Sequence, residues 1–186
     1  MQTLKKLLTY SVFLHLVVIL LAVEVYILAL QNKELKRELS AAGSQPELLK
    51  EGDIVPSFWA TTIDGRPEEI SYNEPRKLHL LLVFNTTCPA CKENLPNWIE
   101  ISRKLDSKSC ALIGISLHKP KTTQKYVLEK GVPFTVLVPR DSMFIKNYKS
   151  NAIPQTVLIE SGGKVRKVWN GVLSSENKKE IANFVY

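Results

Sequence analysis

The chain has 186 residues, of which 45% are apolar and 23% are charged. This length suits one domain with a substantial core and a short accessory segment, and it argues against two full domains. Residues 7–30 are almost continuously apolar, whereas the rest of the chain has the mixed composition of a globular protein. That split argues against a wholly cytosolic globular protein.

The net charge of +7 comes from 25 basic and 18 acidic side chains that are scattered along the chain. One local cluster, Lys164, Arg166 and Lys167, alternates with Val165 and Val168. Such alternation is typical of a strand with one solvated face, so we expect no nucleic-acid partner.

The apolar stretch is long enough to cross a bilayer. As a helix, residues 7–30 would span roughly 36 Å, slightly more than the hydrocarbon core of a membrane. A cleaved signal peptide has a shorter apolar region, about 7 to 15 residues, and then a small-residue cleavage site that this chain lacks. We therefore predict an N-terminal tail over residues 1–6 and a single transmembrane anchor over residues 7–30.

Residues 31–50 are polar and contain Gly43, Ser44 and Pro46, which predicts a short polar helix followed by a linker. Strand and helix patterns then alternate through residues 51–186, and this alternation predicts an α/β domain around a central sheet. In chain order we expect a hairpin over 57–70 that turns at Asp64-Gly65, a buried strand over 77–85, a helix over 88–105, a strand over 110–118, a helix over 121–132 that ends at Gly131, a strand over 134–139, a short helix over 142–150, strands over 154–161 and 164–172, and a helix over 174–186 that Ser174 or Ser175 can cap.

Two cysteines stand where the buried strand over 77–85 gives way to a helix. Unpaired N–H groups and the helix dipole favour negative charge at this position, so Cys88 is biased toward the thiolate and is the candidate nucleophile. Cys91 follows one turn later and is placed to attack a mixed disulfide formed at Cys88. Pro89 suits the first helical position, where no N–H is needed. The sequence therefore predicts a redox-active pair that forms a Cys88–Cys91 disulfide.

Two other interpretations of this pair stay open. A zinc site would need two further ligands, for which Cys110 and His118 on the next strand are the nearby candidates. A purely structural disulfide is also compatible with the sequence, although so small a loop would stabilise the fold only weakly. We favour the redox interpretation, and we expect neither a metal nor a cofactor.

A second feature comes from a distant part of the chain. Ile153-Pro154 opens a predicted strand, where proline is tolerated and where a cis peptide bond would bring a backbone edge beside the dithiol. Pro96 lies inside the helix that begins at Cys88.

With these features the chain resembles a thioredoxin-like redoxin of the AhpC/TSA type. The segments EGDIVPSF, FNTTCPACKENLP and AIPQT carry the resemblance, which covers residues 50–186 and is strongest to membrane-tethered TlpA/ResA-type oxidoreductases. The T-C-P-x-C-K block after a single anchor is also similar to the methylamine-utilisation maturation protein. The family implies a thioredoxin-like fold, in which a central mixed sheet is flanked by helices and carries an N-terminal hairpin addition.

The resemblance also implies roles for individual residues. Cys88 matches the attacking cysteine, Cys91 the resolving cysteine and Pro154 the cis proline that faces the dithiol. We expect a client segment to lie against Ile153, Thr87 and Pro89.

The chain departs from the family pattern at several positions. Thr87 replaces a common tryptophan, Leu82 stands where thioredoxins carry a buried aspartate, and Asn94 replaces a glutamate found in many cytochrome-maturation relatives. Peroxiredoxins share the opening of the domain, but Leu81 and Asn85 occupy the proline and threonine positions of their peroxidatic motif. These differences argue against peroxidase activity.

The sequence and the resemblance together predict a membrane-anchored thiol–disulfide oxidoreductase that acts on protein clients and an unidentified redox partner. Pro-Ala between the cysteines offers no group that stabilises a thiolate strongly, so we expect a reductant or isomerase in the maturation of an exported protein. The alternative is a noncatalytic, tethered scaffold that binds one partner during assembly.

The side of the membrane is harder to predict from charge. Lys5 and Lys6 precede the anchor, and Lys33, Lys36 and Arg37 follow it, so the count of basic residues slightly opposes an outside domain. The family resemblance favours a bacterial inner membrane with the C-terminal domain in the periplasm.

Overall fold

A computed structural model describes residues 2–41 and 47–185 of the chain. One long helix, α1 (Gln2–Ala41), contains both the apolar stretch and the polar residues after it. Within it, His15–Lys33 is long and apolar enough to cross a membrane, and every side chain from 15 to 33 is exposed. The polar segment therefore extends the apolar helix instead of forming a separate one, and the predicted linker residues 42–46 lie outside the described residues.

The second unit of the chain starts before the boundary expected near Glu51. Leu49 is buried in its core, and the Lys149 ammonium lies 2.8 Å from the Glu47 carboxylate and 3.0 Å from that of Asp53. Residues 47–50 thus pack against a loop about a hundred residues later in the chain, a contact that local sequence does not reveal.

A single mixed sheet forms the centre of this unit. In chain order its strands are β1 (Phe58–Thr62), β2 (Pro67–Ile70), β3 (Leu78–Phe84), β4 (Cys110–Ser116), β5 (Val136–Pro139), β6 (Gln155–Ile159) and β7 (Val165–Asn170), and their spatial order is β2-β1-β5-β4-β3-β6-β7. Strand β3 pairs in parallel with β4 and antiparallel with β6. The predicted hairpin is β1–β2, which turns at Asp64-Gly65, where Gly65 has a φ of 93° that favours glycine.

Four helices flank the sheet: α2 (Pro89–Lys104), α3 (Pro120–Lys130), α4 (Met143–Asn147) and α5 (Ser175–Val185). As expected, α3 ends at Gly131, which adopts the left-handed conformation with a φ of 58°. The Ser174 hydroxyl accepts a hydrogen bond from the Asn177 N–H at 3.1 Å and caps the start of α5. The predicted thioredoxin-like fold, with its hairpin addition, is confirmed.

The strand β3 is buried on both faces because core clusters lie on each side of the sheet. Leu80 and Leu82 pack with Trp98 of α2 on one face, and Leu81 and Val83 pack into the cluster on the other face. Side chains of successive strand residues point to opposite faces, so a continuous apolar run is what this position requires. The C-terminal end of β3, where the two cysteines follow, is therefore held from both sides.

Candidate functional site

The loop between β3 and α2 places Cys88 at the start of the helix. The Asn85 carboxamide oxygen accepts hydrogen bonds from the Thr87 N–H at 3.0 Å and the Thr87 hydroxyl at 2.9 Å. The Cys88 N–H donates to the Asn85 carbonyl at 3.2 Å, and α2 begins at Pro89. Asparagine forms such side-chain turns readily, so the local sequence itself fixes the cysteine at the cap position.

The two thiols are adjacent but differ in exposure. Cys88 is half-buried, and its sulfur accepts a hydrogen bond from the Cys91 N–H at 3.2 Å. Cys91 is buried, and its burial, together with the hydrogen bond to Cys88, raises the pKa of its thiol to about 12. All three cysteines are unpaired, so the structure describes the dithiol form. In this form Cys88 is the accessible sulfur and Cys91 is a protonated thiol behind it.

The Ile153-Pro154 peptide bond is cis. Gln155 pairs with Val83 in an antiparallel register, so the next position places Pro154 opposite Phe84. Phe84 is the last residue of β3, and the loop that carries the cysteines follows it. Ile153 and Cys88 both pack against the same core cluster. The structure therefore brings the distant proline segment to the same edge of the sheet as the dithiol.

The residues expected to touch a client are accessible. Thr87 and Pro89 are exposed on either side of Cys88, and Ile153 is half-buried. Pro154 is buried, so Ile153 is the more accessible residue of that segment.

Sequence patterns did not single out Tyr126 and named His118 only as a candidate zinc ligand, but both residues lie near the dithiol. Tyr126 of α3 is buried, and its pKa is raised by that burial and by the nearby charges of Cys91 and Cys88. His118 hydrogen-bonds through its Nδ1 to the hydroxyl of Thr86, two residues before Cys88. The helical spacing of Thr123, Tyr126 and Val127 marks the buried face of α3, but only the folded domain shows that Tyr126 lies near the cysteines.

Two of the positions where the chain departs from the family pattern are buried and uncharged, whereas a third, Thr87, is exposed. Leu82 and Asn94 are both fully buried, and Pro96 lies within α2. The Asn94 carboxamide oxygen accepts hydrogen bonds from the Leu173 N–H at 2.9 Å and from the Asn97 amide at 3.0 Å. Asn94 therefore joins α2 to the segment before α5, and neither it nor Leu82 supplies a carboxylate beside the dithiol.

Cys110 lies at the opposite end of the sheet from the dithiol. It pairs with Leu78 at the start of β3, whereas Cys88 follows the end of that strand, and the seven residues between the two ends span roughly 20 Å. Within residues 15–33, 36 and 47–185, no group of three or more His, Cys, Asp or Glu side chains is arranged to hold a metal ion. The zinc interpretation through Cys110 therefore does not fit this geometry.

The AhpC/TSA family matches residues 52–168, which is more than half of the chain. The chain belongs to the AhpC/TSA family. The match includes the dithiol and the Ile153-Pro154 segment, so the resemblance inferred from the sequence is confirmed.

Known relatives agree with this assignment. The chain is 24% identical over 140 residues to the thiol-disulfide oxidoreductase ResA of Bacillus subtilis, covering 75% of this chain and 78% of that protein. It is 22% identical over 130 residues to ResA of Geobacillus thermodenitrificans, covering 69% and 74%. These relatives confirm the predicted enzyme class, a thiol–disulfide oxidoreductase.

Solved structures support the fold. StoA from Bacillus subtilis superposes with a TM-score of 0.57 at 24% identity, covering 69% of this chain and 98% of that one. A thiol:disulfide interchange protein of the thioredoxin family from Chlorobium tepidum gives a TM-score of 0.59 at 21% identity, covering 74% and 98%.

Proposed function

We propose that the chain is a membrane-anchored oxidoreductase that exchanges disulfides with protein clients through Cys88 and Cys91. The observation that carries this proposal is the arrangement of the pair: the Cys88 sulfur caps α2 and accepts the Cys91 N–H at 3.2 Å, while the Cys91 thiol is buried behind it. A backbone donor and the helix dipole stabilise negative charge on the exposed sulfur, which is what a nucleophilic thiolate needs.

The exchange proceeds in two steps. The Cys88 thiolate attacks one sulfur of the client disulfide, so that the client S–S bond breaks and a Cys88–client disulfide forms; the released client thiolate takes up a proton. Cys91 then loses its proton and attacks the Cys88 sulfur, which releases the second client thiolate. Two electrons pass from the pair to the client, and the pair becomes the Cys88–Cys91 disulfide. Another dithiol protein must reduce this disulfide before the next cycle.

The segment around the cis proline supports a role in client binding. Thr87 and Pro89 are exposed beside Cys88, and Ile153-Pro154 lies at the same edge of the sheet. An extended client segment placed against Ile153 would bring its disulfide to the accessible sulfur. We assign Pro154 to shaping this edge and Ile153, Thr87 and Pro89 to contacting the client.

We infer a reducing or isomerising direction. Only the neutral pair Pro89-Ala90 separates the cysteines, and it carries no side chain that donates a hydrogen bond or a positive charge to the thiolate. Strong oxidants owe their potential to a reduced form that is unusually stable. A Cys88 thiolate that neither Pro89 nor Ala90 stabilises fits a reductant that acts on an exported protein.

The long helix supports membrane anchoring. Its side chains from 15 to 33 are exposed, and most of them are apolar. A helix that is apolar on all sides needs an apolar environment around it. We propose that α1 crosses the bacterial inner membrane once and that the C-terminal domain lies in the periplasm.

Insulin reduction by the full-length protein in detergent tests the activity. With dithiothreitol as electron donor, we expect turnover by the wild type and by Cys110→Ser, and loss of the catalysed rate in Cys88→Ser. When Cys91→Ser is mixed with insulin without dithiothreitol, it should accumulate a mixed disulfide with insulin, because the second attack is missing and no added thiol is present to cleave that disulfide. If the wild type is no faster than the donor alone and Cys91→Ser captures nothing, the oxidoreductase proposal is wrong.

The scaffold alternative gives a different pattern in cells. A tethered scaffold would keep its cellular function in Cys88→Ser and lose it only when residues 2–41 are removed. The exchange mechanism instead predicts loss in both variants.

A further inference from the structure

A groove runs along α2 and α3 on the side of the domain that carries the cysteines. It encloses about 600 Å³ and begins at Lys92, directly after Cys91. Leu95, Ile99 and Tyr126 form part of its lining, and all three are buried or half-buried. Tyr126 is near enough to both thiols for their charges to affect its titration. The groove is therefore an apolar surface that begins one residue after the dithiol and extends away from it along α2.

The rim of the groove is basic. Lys92 and Arg103 of α2 and Lys130 of α3 line it and are exposed. Among residues 47–185, no carboxylate lies within 4.0 Å of these three cations. They are available to an anionic partner.

Among residues 47–185, Glu100 is the one carboxylate that lines the groove, and two lysines balance its charge. Glu100 lies 2.8 Å from the Lys104 ammonium and 2.8 Å from that of Lys178. These two contacts hold the pKa of Glu100 down to about 2, so it stays paired and charged at neutral pH. The groove therefore keeps a net positive charge around an apolar centre.

We propose that this groove docks an acidic, amphipathic peptide segment of the client protein, with apolar side chains in the groove and carboxylates against Lys92, Arg103 and Lys130. This inference rests on the proposed function, since it explains how a client disulfide is brought to Cys88. From Lys92 to Arg103 the helix rises roughly 17 Å, which five or six extended residues can span. An acidic segment of that length, lying on one side of a client cysteine, matches the groove in both charge and polarity.

Direct binding tests the groove without depending on redox chemistry. The probe is a fluorescent, cysteine-free peptide of twelve residues in which Leu and Phe alternate with Glu. The neutral control peptide has Gln in place of every Glu. Anisotropy with the full-length protein in detergent should give a Kd at least tenfold lower for the acidic peptide. Replacing Leu and Phe by Ser in the acidic peptide should weaken binding by a similar factor, because charge alone does not fill the groove.

A matched pair of variants separates the groove from the general charge of the protein. The first variant loses two charges of the rim through Arg103→Gln and Lys130→Gln. The second, a control, loses two exposed charges outside the groove through Lys108→Gln and Lys121→Gln. We expect the preference for the acidic peptide to fall to about twofold in the first variant and to persist in the second. Equal binding of the two peptides to the wild type, or an equal loss in both variants, would overturn the proposal.

The same peptides, extended by a Cys-Ser-Ser-Cys disulfide at one end, connect docking to activity. The wild type should reduce the acidic one with a kcat/KM about tenfold above that of the neutral one, and this ratio should fall in the rim variant alone. Tight binding without reduction of either peptide would contradict the proposed function and leave the docking groove standing. Reduction of both at the same rate would contradict the groove and leave the exchange activity standing.

Discussion

At the residue scale, burial distinguishes two thiols of the same chemical type. Cys88 is accessible at the cap of α2, whereas Cys91 is only 1% exposed and its pKa is raised from 9.0 to about 12, first by burial. A thiol whose pKa lies so far above neutral pH stays protonated, and the thiolate is the form that attacks. In the proposed exchange, the attack by Cys91 is thus the step that depends on losing a proton.

This assignment predicts a pH dependence. Between pH 7 and pH 9 the thiolate fraction of a thiol with a raised pKa grows about tenfold per pH unit, so the second step should accelerate by the same factor. Stopped-flow absorbance after adding one equivalent of Ellman's reagent to the reduced protein would resolve two releases of thionitrobenzoate. We expect the second release to show this slope and to be absent from Cys91→Ser. A second release with the same rate at pH 7 and pH 9 would mean that Cys91 is already ionised.

The departures from the family pattern at Leu82 and Asn94 can be located in the sequence, but their structural consequences cannot be predicted from it. The family comparison predicts that two carboxylates are missing, and the structure shows an apolar side chain and an amide in their places. That the Asn94 amide bonds the Leu173 N–H, 79 residues later, depends on how α2 and the segment before α5 pack together.

At the element scale, α2 is the helix that carries the dithiol, and its position depends on contacts with distant segments. Trp98 donates to the Thr156 hydroxyl of β6 at 3.0 Å, and Asn94 accepts from the Leu173 N–H at 2.9 Å. These bonds are buried, where an unpaired donor is costly. They hold the first turns of the helix, and therefore both cysteines, against the sheet.

Replacing Asn94 tests this linkage. Asn94→Ala leaves the buried Leu173 N–H without its acceptor, so we expect the free energy of unfolding to fall by about 1–3 kcal/mol. Urea denaturation of the full-length protein in detergent, followed by tryptophan fluorescence, measures the change. The control is Glu93→Ala, an exposed neighbour on the same helix, for which a change within about 0.5 kcal/mol is expected. If both substitutions cost the same, the Asn94–Leu173 bond does not hold α2 in place.

The elements that the sequence predicts well are those fixed by local chemistry. Gly131 ends α3, Ser174 caps α5 and Asp64-Gly65 turns the hairpin, because each residue favours that backbone conformation by itself. The continuity of α1 was missed. Its composition changes after Leu30, but the residues that follow are good helix formers and a change of polarity does not end a helix.

At the scale of the whole molecule, the chain combines a redox domain with an apolar helix. The described unit from residue 47 onwards has its own core on both faces of the sheet, and α1 contributes an exposed apolar surface over residues 15–33. The early start of the domain was also missed, since Leu49 becomes a core residue only through its tertiary contacts. The proposed anchor would hold this domain at a membrane surface.

The proposed topology is testable with reporter fusions. Because the basic residues on either side of the apolar stretch do not decide the orientation, the side of the membrane has to be measured. A C-terminal alkaline phosphatase fusion should be active in a bacterial host, and a C-terminal green fluorescent protein fusion made through the same export route should be dark. A fluorescent green fluorescent protein fusion together with an inactive phosphatase fusion would place the domain in the cytoplasm and contradict the proposal.

The central claim is that Cys88 and Cys91 form a reversible two-electron couple, and a redox titration of the full-length protein tests it most directly. The protein is equilibrated in thiol–disulfide buffers of known potential, its free thiols are alkylated, and its mass is measured. We predict one reversible transition, between about −270 and −180 mV, in which Cys88 and Cys91 lose reactivity together while Cys110 stays a thiol. The absence of a reversible transition in that range, or a disulfide that includes Cys110, would contradict the account.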